Sequence, residues 1–120
     1  MANPFVHIEL GTKDLEKSKK FYAGLFDWKL EEMPGMDYTI INVGEGTGGG
    51  MMMNPDPGLP DHWLPYILVD DIKASTAKAQ TLGATIVKEV TEIPDMGWFS
   101  VMVDPTGAVF GLWQAKAGSK

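Results

Sequence analysis

The chain has 120 residues, the size of one ordinary domain, with 44% hydrophobic and 22% charged residues, so a single shared core is expected rather than two independent ones. Ten Lys+Arg against 16 Asp+Glu give a formal charge of −6, which repels a phosphate backbone and argues against nucleic acid as a partner. There is no cysteine for disulfide or thiol chemistry, no apolar run of membrane length and no basic leader in the opening MANPFVHIEL, so a cytoplasmic protein without membrane contact is expected.

The run Phe5 to Leu10 alternates as a half-buried strand does, with Phe5, His7 and Glu9 on one face and Val6, Ile8 and Leu10 on the other. Asp14 is a good N-cap, and Leu15, Ser18, Phe21, Tyr22, Leu25 and Phe26 follow at helical spacing. Trp28 to Met33 reads as a second strand, Pro34-Gly35 as a turn, and the β-branched run Tyr38 to Val43 as a third strand. The stretch Gly44 to Gly50 reads as a glycine-rich connection and Met51-Met52-Met53 as a short fourth strand. This glycine run lacks the Gly-Lys-Ser/Thr ending of a phosphate loop and precedes a strand rather than a helix.

Residues 55–61 are rich in proline and form the expected linker between a first module over residues 1–54 and a second over 62–114. In the second, Trp63 to Val69 is a strand, Asp71 caps a helix carrying Ile72, Ala79 and Leu82, and Gly83 ends it. Ala84 to Val90, Trp98 to Val103 and Val109 to Trp113 supply three more strands, the last two joined by the turn Asp104-Pro105-Thr106-Gly107. Residues 115–120 are small and polar and read as a flexible tail.

The order βαβββ therefore occurs twice. Asp14 matches Asp71 and Leu25 matches Leu82, each pair 57 residues apart, whereas His7 falls on Leu64. The fold class expected is α+β, with paired βαβββ modules forming one domain: a curled eight-stranded sheet cup with the helices outside. The concave face is the natural place for a ligand.

In the order and spacing of His7, the helix opening at Asp14-Leu15-Glu16, the exit Leu25-Phe26-Asp27-Trp28, the strand Tyr66-Ile67-Leu68-Val69 and the turn Asp104-Pro105-Thr106-Gly107, the chain resembles the vicinal oxygen chelate superfamily of glyoxalases, bleomycin-resistance proteins and extradiol dioxygenases. The resemblance implies paired βαβββ modules and, in metal-dependent members, a divalent ion held by side chains of the first and last strands of each module. His7 matches the first-strand ligand. The remaining positions fall on Leu64, near Gly50 or Met51, and on Gly111, which supply no ligand suited to a hard divalent cation. No cofactor is therefore expected. The alternative set for a divalent metal is His7, Glu9 and His62, two histidines and a carboxylate.

His7 and Glu9 are the candidate catalytic residues, since they interrupt an apolar strand and burying them unpaired would cost several kcal/mol. Met51, Met53, Leu64, Tyr66, Leu68, Trp98 and Trp113 are the candidate ligand-binding residues of an apolar and aromatic cup. The expected function is metal-independent binding of a small hydrophobic or aromatic molecule. The alternative is a metal-dependent lyase, isomerase or dioxygenase that uses His7 and Glu9. The resemblance also implies a homodimer, which would cover open sheet edges.

Overall fold

The computed structural model describes residues 3–35, 37–54 and 58–116. The first βαβββ set is β1 (Phe5–Thr12), α1 (Leu15–Leu25), β2 (Lys29–Glu32), β3 (Thr39–Asn42) and β4 (Gly49–Met53). The second is β5 (His62–Leu68), α2 (Ile72–Thr81), β6 (Thr85–Ile93), β7 (Gly97–Val103) and β8 (Val109–Ala115). The α+β class and the doubled order match the expectation.

Two compact units are present, one of His7–Leu64 and one combining the chain up to Val6 with the chain from Pro65 onward. The start of β1 thus belongs with the second module rather than the first. The backbone accounts for this: the Leu68 N–H donates to the Pro4 carbonyl at 2.9 Å, and the Asn3 side-chain amide donates to the Leu68 carbonyl at 2.9 Å. Of the expected linker, residues 55–57 lie outside the described residues, as do residues 117–120 of the expected tail.

In the His7–Leu64 unit the strand order is β2-β3-β4-β1, with β1 and β4 parallel and the other pairs antiparallel. Asp14 caps α1 by accepting from the Lys17 N–H at 3.0 Å, which satisfies one of the donors that every helix start leaves free. The helix rests on a core of Leu10, Ile41 and Met51, joined by Leu15, Tyr22, Trp28, Leu30 and Val43. Asp61 ties the end of β5's approach to the α1 entrance, accepting from the buried Thr12 hydroxyl at 2.9 Å and from the Lys13 N–H at 3.0 Å.

The other unit repeats the scheme as β5-β8-β7-β6, again with one parallel pair, β5 with β8. Asp71 caps α2 through the Ala74 N–H at 3.1 Å. At the far end Gly83 has φ of +106° and the Ala84 N–H reaches back to the Ala79 carbonyl at 3.0 Å, the glycine-terminated ending expected there. Val69, Ile72, Met102 and Leu112 form this core, and the buried Thr76 and Ser100 hydroxyls satisfy each other at 3.0 Å. In the β7–β8 turn, Asp104 accepts from the Thr106 hydroxyl at 2.7 Å and from the Thr106 and Ala108 N–H groups. These bonds hold its carboxyl below the usual range.

The main difference from expectation is at β4, which begins at Gly49 rather than Met51. Gly49 and Gly50 are strand residues, and both are glycine because a neighbour fills the space a side chain would need.

Candidate functional site

The pleat of β1 puts His7 and Glu9 on the sheet face opposite Ile8 and Leu10. Gly50 pairs with Glu9 across the parallel ladder, so position 50 shares their face. Tyr38, one residue before β3, reaches the same point. Its hydroxyl lies 2.6 Å from His7 Nε2 and 2.9 Å from Glu9 Oε2, and its ring stacks on the imidazole at 18° with centroids 6.2 Å apart. A β-carbon at position 50 would overlap the Tyr38 hydroxyl and ring.

The directions of these bonds follow from the donors available. The Tyr38 O–H donates to the Glu9 carboxylate, so its oxygen accepts from His7 Nε2–H. Burial pushes the His7 pKa down, which keeps the imidazole neutral and consistent with that tautomer. The result is a chain of two bonds, His7 to Tyr38 to Glu9, along which a proton can be held or passed.

This arrangement carries a pH signature. A histidine whose folded pKa is depressed binds its proton more readily when unfolded. Its contribution to stability is therefore complete above the ordinary value of about 6.5 and is lost as pH falls below it. Asp104 and Glu32, whose pKa values are also lowered, act in a more acidic window. Denaturant unfolding between about pH 7.5 and 5.5 should show stability decreasing, and His7→Gln should flatten the dependence. A variant that retains the full slope would place the titration elsewhere.

The same device recurs in the second unit. Tyr66 pairs with Gly111, and a β-carbon at 111 would overlap the Tyr66 ring. Leu64 and Tyr66 are buried and Leu68 half-buried. Leu68 pairs with Trp113 and Trp113 with Phe99, while Tyr66 meets Phe99 edge-on at 6.3 Å, so these four side chains share a face.

Two expected placements are corrected by the register. Because Gly50 pairs with Glu9 and Met51 with Leu10, Met52 is the methionine that shares a face with His7, while Met51 lies in the core beneath α1 and Met53 projects on that same side. Trp98 pairs with Gln114 and packs against the α2-side core, opposite to Trp113, with Lys116 Nζ 5.3 Å from its ring. Phe99 takes the place that alternation from Trp113 requires.

His62 does not join His7 and Glu9. Its Nδ1–H donates to the Pro60 carbonyl at 2.9 Å and its ring covers Gly11. Among the described residues no three His, Asp or Glu side chains converge to hold a metal ion. Within this unit the donor set does not fit a divalent cation: the point between His7 and Glu9 belongs to the Tyr38 hydroxyl, and Gly50 and Leu64 offer no ligating side-chain atom.

Tyr38 is the partner of the candidate pair that the sequence does not reveal, since there it reads as an ordinary strand aromatic. The detectable signal was Gly50, since a glycine inside a strand marks a close approach by another group. On the other side of β1, a cavity of about 220 Å³ is lined by Ile8, Ile41, Val43, Trp28 and Trp63. Its two indoles meet at 80° with centroids 6.4 Å apart.

The doubled βαβββ order and the His7 strand place the chain in a known class. The family model described as Glyoxalase/Bleomycin resistance protein/Dioxygenase superfamily matches residues 5–112, and the chain belongs to that superfamily. Among its relatives is the Mycobacterium tuberculosis (strain CDC 1551 / Oshkosh) protein named "Putative glyoxylase CFP32", 37% identical over 107 residues, which are 87% of this chain and 41% of the relative. Another is the anthracycline biosynthesis protein DnrV of Streptomyces peucetius, 27% identical over 123 residues, 88% of this chain and 45% of the relative. This chain thus spans less than half the length of the curated relatives it matches. The crystal structure of hypothetical protein BH1468 from Bacillus halodurans C-125 has the same fold, with a TM-score of 0.71 at 16% identity, covering 100% of this chain and 99% of that one. No helix among the described residues is long and apolar enough to cross a membrane.

Proposed function

We propose that this chain is a metal-independent small-molecule-binding protein of the glyoxalase and bleomycin-resistance type, taking a planar, hydrophobic or aromatic ligand on the face that carries His7, Glu9 and Tyr38. The observation that carries the reading is the Tyr38 hydroxyl, bonded to both polar side chains at the point where a cation would need them. A face that joins a few polar groups to apolar and aromatic surface suits a ligand of that kind. Glu9 and the formal charge of −6 favour a ligand with a cationic or hydrogen-donating edge. The relative named for anthracycline biosynthesis supports a planar polycyclic class. Among the described residues β2 and β6 each pair on one side only, and covering such edges supports a homodimer.

The test is elemental analysis of the purified protein beside a thermal-shift panel of hydroxylated polycyclic aromatics. The expected result is sub-stoichiometric metal and a melting temperature that rises with ligand, by an amount equivalent to about 2.7 kcal/mol at a hundred times the Kd. Stoichiometric metal that is lost in His7→Ala would overturn the reading.

The proton chain from His7 to Glu9 favours a second reading, a lyase or isomerase in which Glu9 acts as general base on a carbon acid. Glu9→Gln separates the two, because under the second it removes turnover, whereas under the first there is no turnover to lose and only affinity for a cationic edge falls.

A further inference from the structure

Resting on the metal-independent reading above, we propose that Tyr38 is the residue that determines it: its hydroxyl excludes a divalent cation from the His7–Glu9 pair, and the glycine at position 50 exists to admit it. The Tyr38 oxygen is within hydrogen-bonding distance of His7 Nε2 at 2.6 Å and of Glu9 Oε2 at 2.9 Å, so both donor atoms point at one shared point. A zinc ion held by an imidazole and a carboxylate would sit about 2.0–2.2 Å from each, between the same two atoms and too close to the Tyr38 oxygen for both to be accommodated. One occupant excludes the other.

Position 50 makes the exclusion structural. Gly50 stands directly across the ladder from Glu9, on the His7 face, and a β-carbon there would overlap the Tyr38 hydroxyl, Cζ and Cε2. A side chain at position 50 and the tyrosine ring are therefore alternatives. With Tyr38 shortened, a carboxylate at position 50 would project toward the point the hydroxyl leaves and would give three protein donors on one face. Tyr38 and Gly50 form a coupled pair, and exchanging both converts a hydrogen-bonded site into a cation site.

The experiment uses the full chain, stripped with chelator, and titrates Zn²⁺ calorimetrically into the parent, Tyr38→Ala, Gly50→Glu and the double variant. The parent is expected to take up no zinc at micromolar concentrations. Tyr38→Ala should bind it, and the double variant should bind on the order of tenfold tighter or more, since the carboxylate supplies zinc with a further oxygen ligand beside the imidazole and Glu9. His7→Ala placed in the double variant should abolish the gain, which separates this site from surface binding. Gly50→Glu alone should melt well below the parent, and adding Tyr38→Ala should restore much of the loss. Should Tyr38→Ala not fold, Tyr38→Leu ends far short of the hydroxyl position and carries the same comparison.

Folded Tyr38 variants that bind no more zinc than a non-binding parent would overturn the role of Tyr38 and leave the metal-independent reading standing. A parent that itself binds one zinc through His7 would overturn both.

Discussion

Gly49→Ala is expected to cost about 3 kcal/mol or more, enough to unfold much of a marginally stable domain. The new β-carbon would overlap the carbonyl oxygen of Ile8 and lie 2.8 Å from its carbon. Both are backbone atoms of β1, so no rotamer change relieves the clash. The strands would have to part at the start of the parallel ladder, where Ile8 pairs with Gly49 and the Ile8 N–H donates to the Gly48 carbonyl at 3.1 Å. Gly24→Ala is the control: its β-carbon meets nothing within 4 Å, it lies inside α1, and alanine there should stabilise by about 0.5–1 kcal/mol. Denaturant unfolding of the two variants measures the contrast. Equal stability for both would show that β4 does not approach β1 this closely.

Met51→Ala should cost about 2–5 kcal/mol, whereas Met53→Ala should stay within about 0.5 kcal/mol of the parent. Met51 is 0% exposed and packs with Leu10 and Ile41, so its truncation leaves a cavity that rigid strands on both sides cannot close. Met53 is 49% exposed and loses little on truncation. The comparison tests the register directly, because a one-residue slip of β4 would move Met51 to the His7 face and Met52 into the core. A large loss at Met52 with a small one at Met51 would require that slipped pairing.

These two cases mark where the sequence stops being legible. Helix starts at Asp14 and Asp71, the stop at Gly83 and the turn at Asp104 were readable because each depends on contacts within a few residues. His7 and Glu9 were readable as a polar pair on one strand face because a histidine and a carboxylate interrupt an apolar alternation. The face of each methionine was not readable. Gly-Gly-Met-Met-Met has no alternation to set a parity, and the choice fell to backbone pairing with β1. Trp98 was misplaced for a related reason: in Trp98-Phe99 either aromatic could take the Tyr66 side, and pairing with β8 assigned it to Phe99.

The sequence by itself determined the twofold βαβββ order, the α+β class and the polar pair on the first strand, all of which rest on local propensity and side-chain period. Only the tertiary structure decided what stands between that pair. Tyr38 lies 31 residues from His7 along the chain, and it reaches Glu9 because β3, β4 and β1 are laid side by side with glycine at position 50 to leave room for its ring. A hydrogen bond made across two intervening strand pairings leaves no periodic trace in the sequence, so what occupies the site could be settled only by packing.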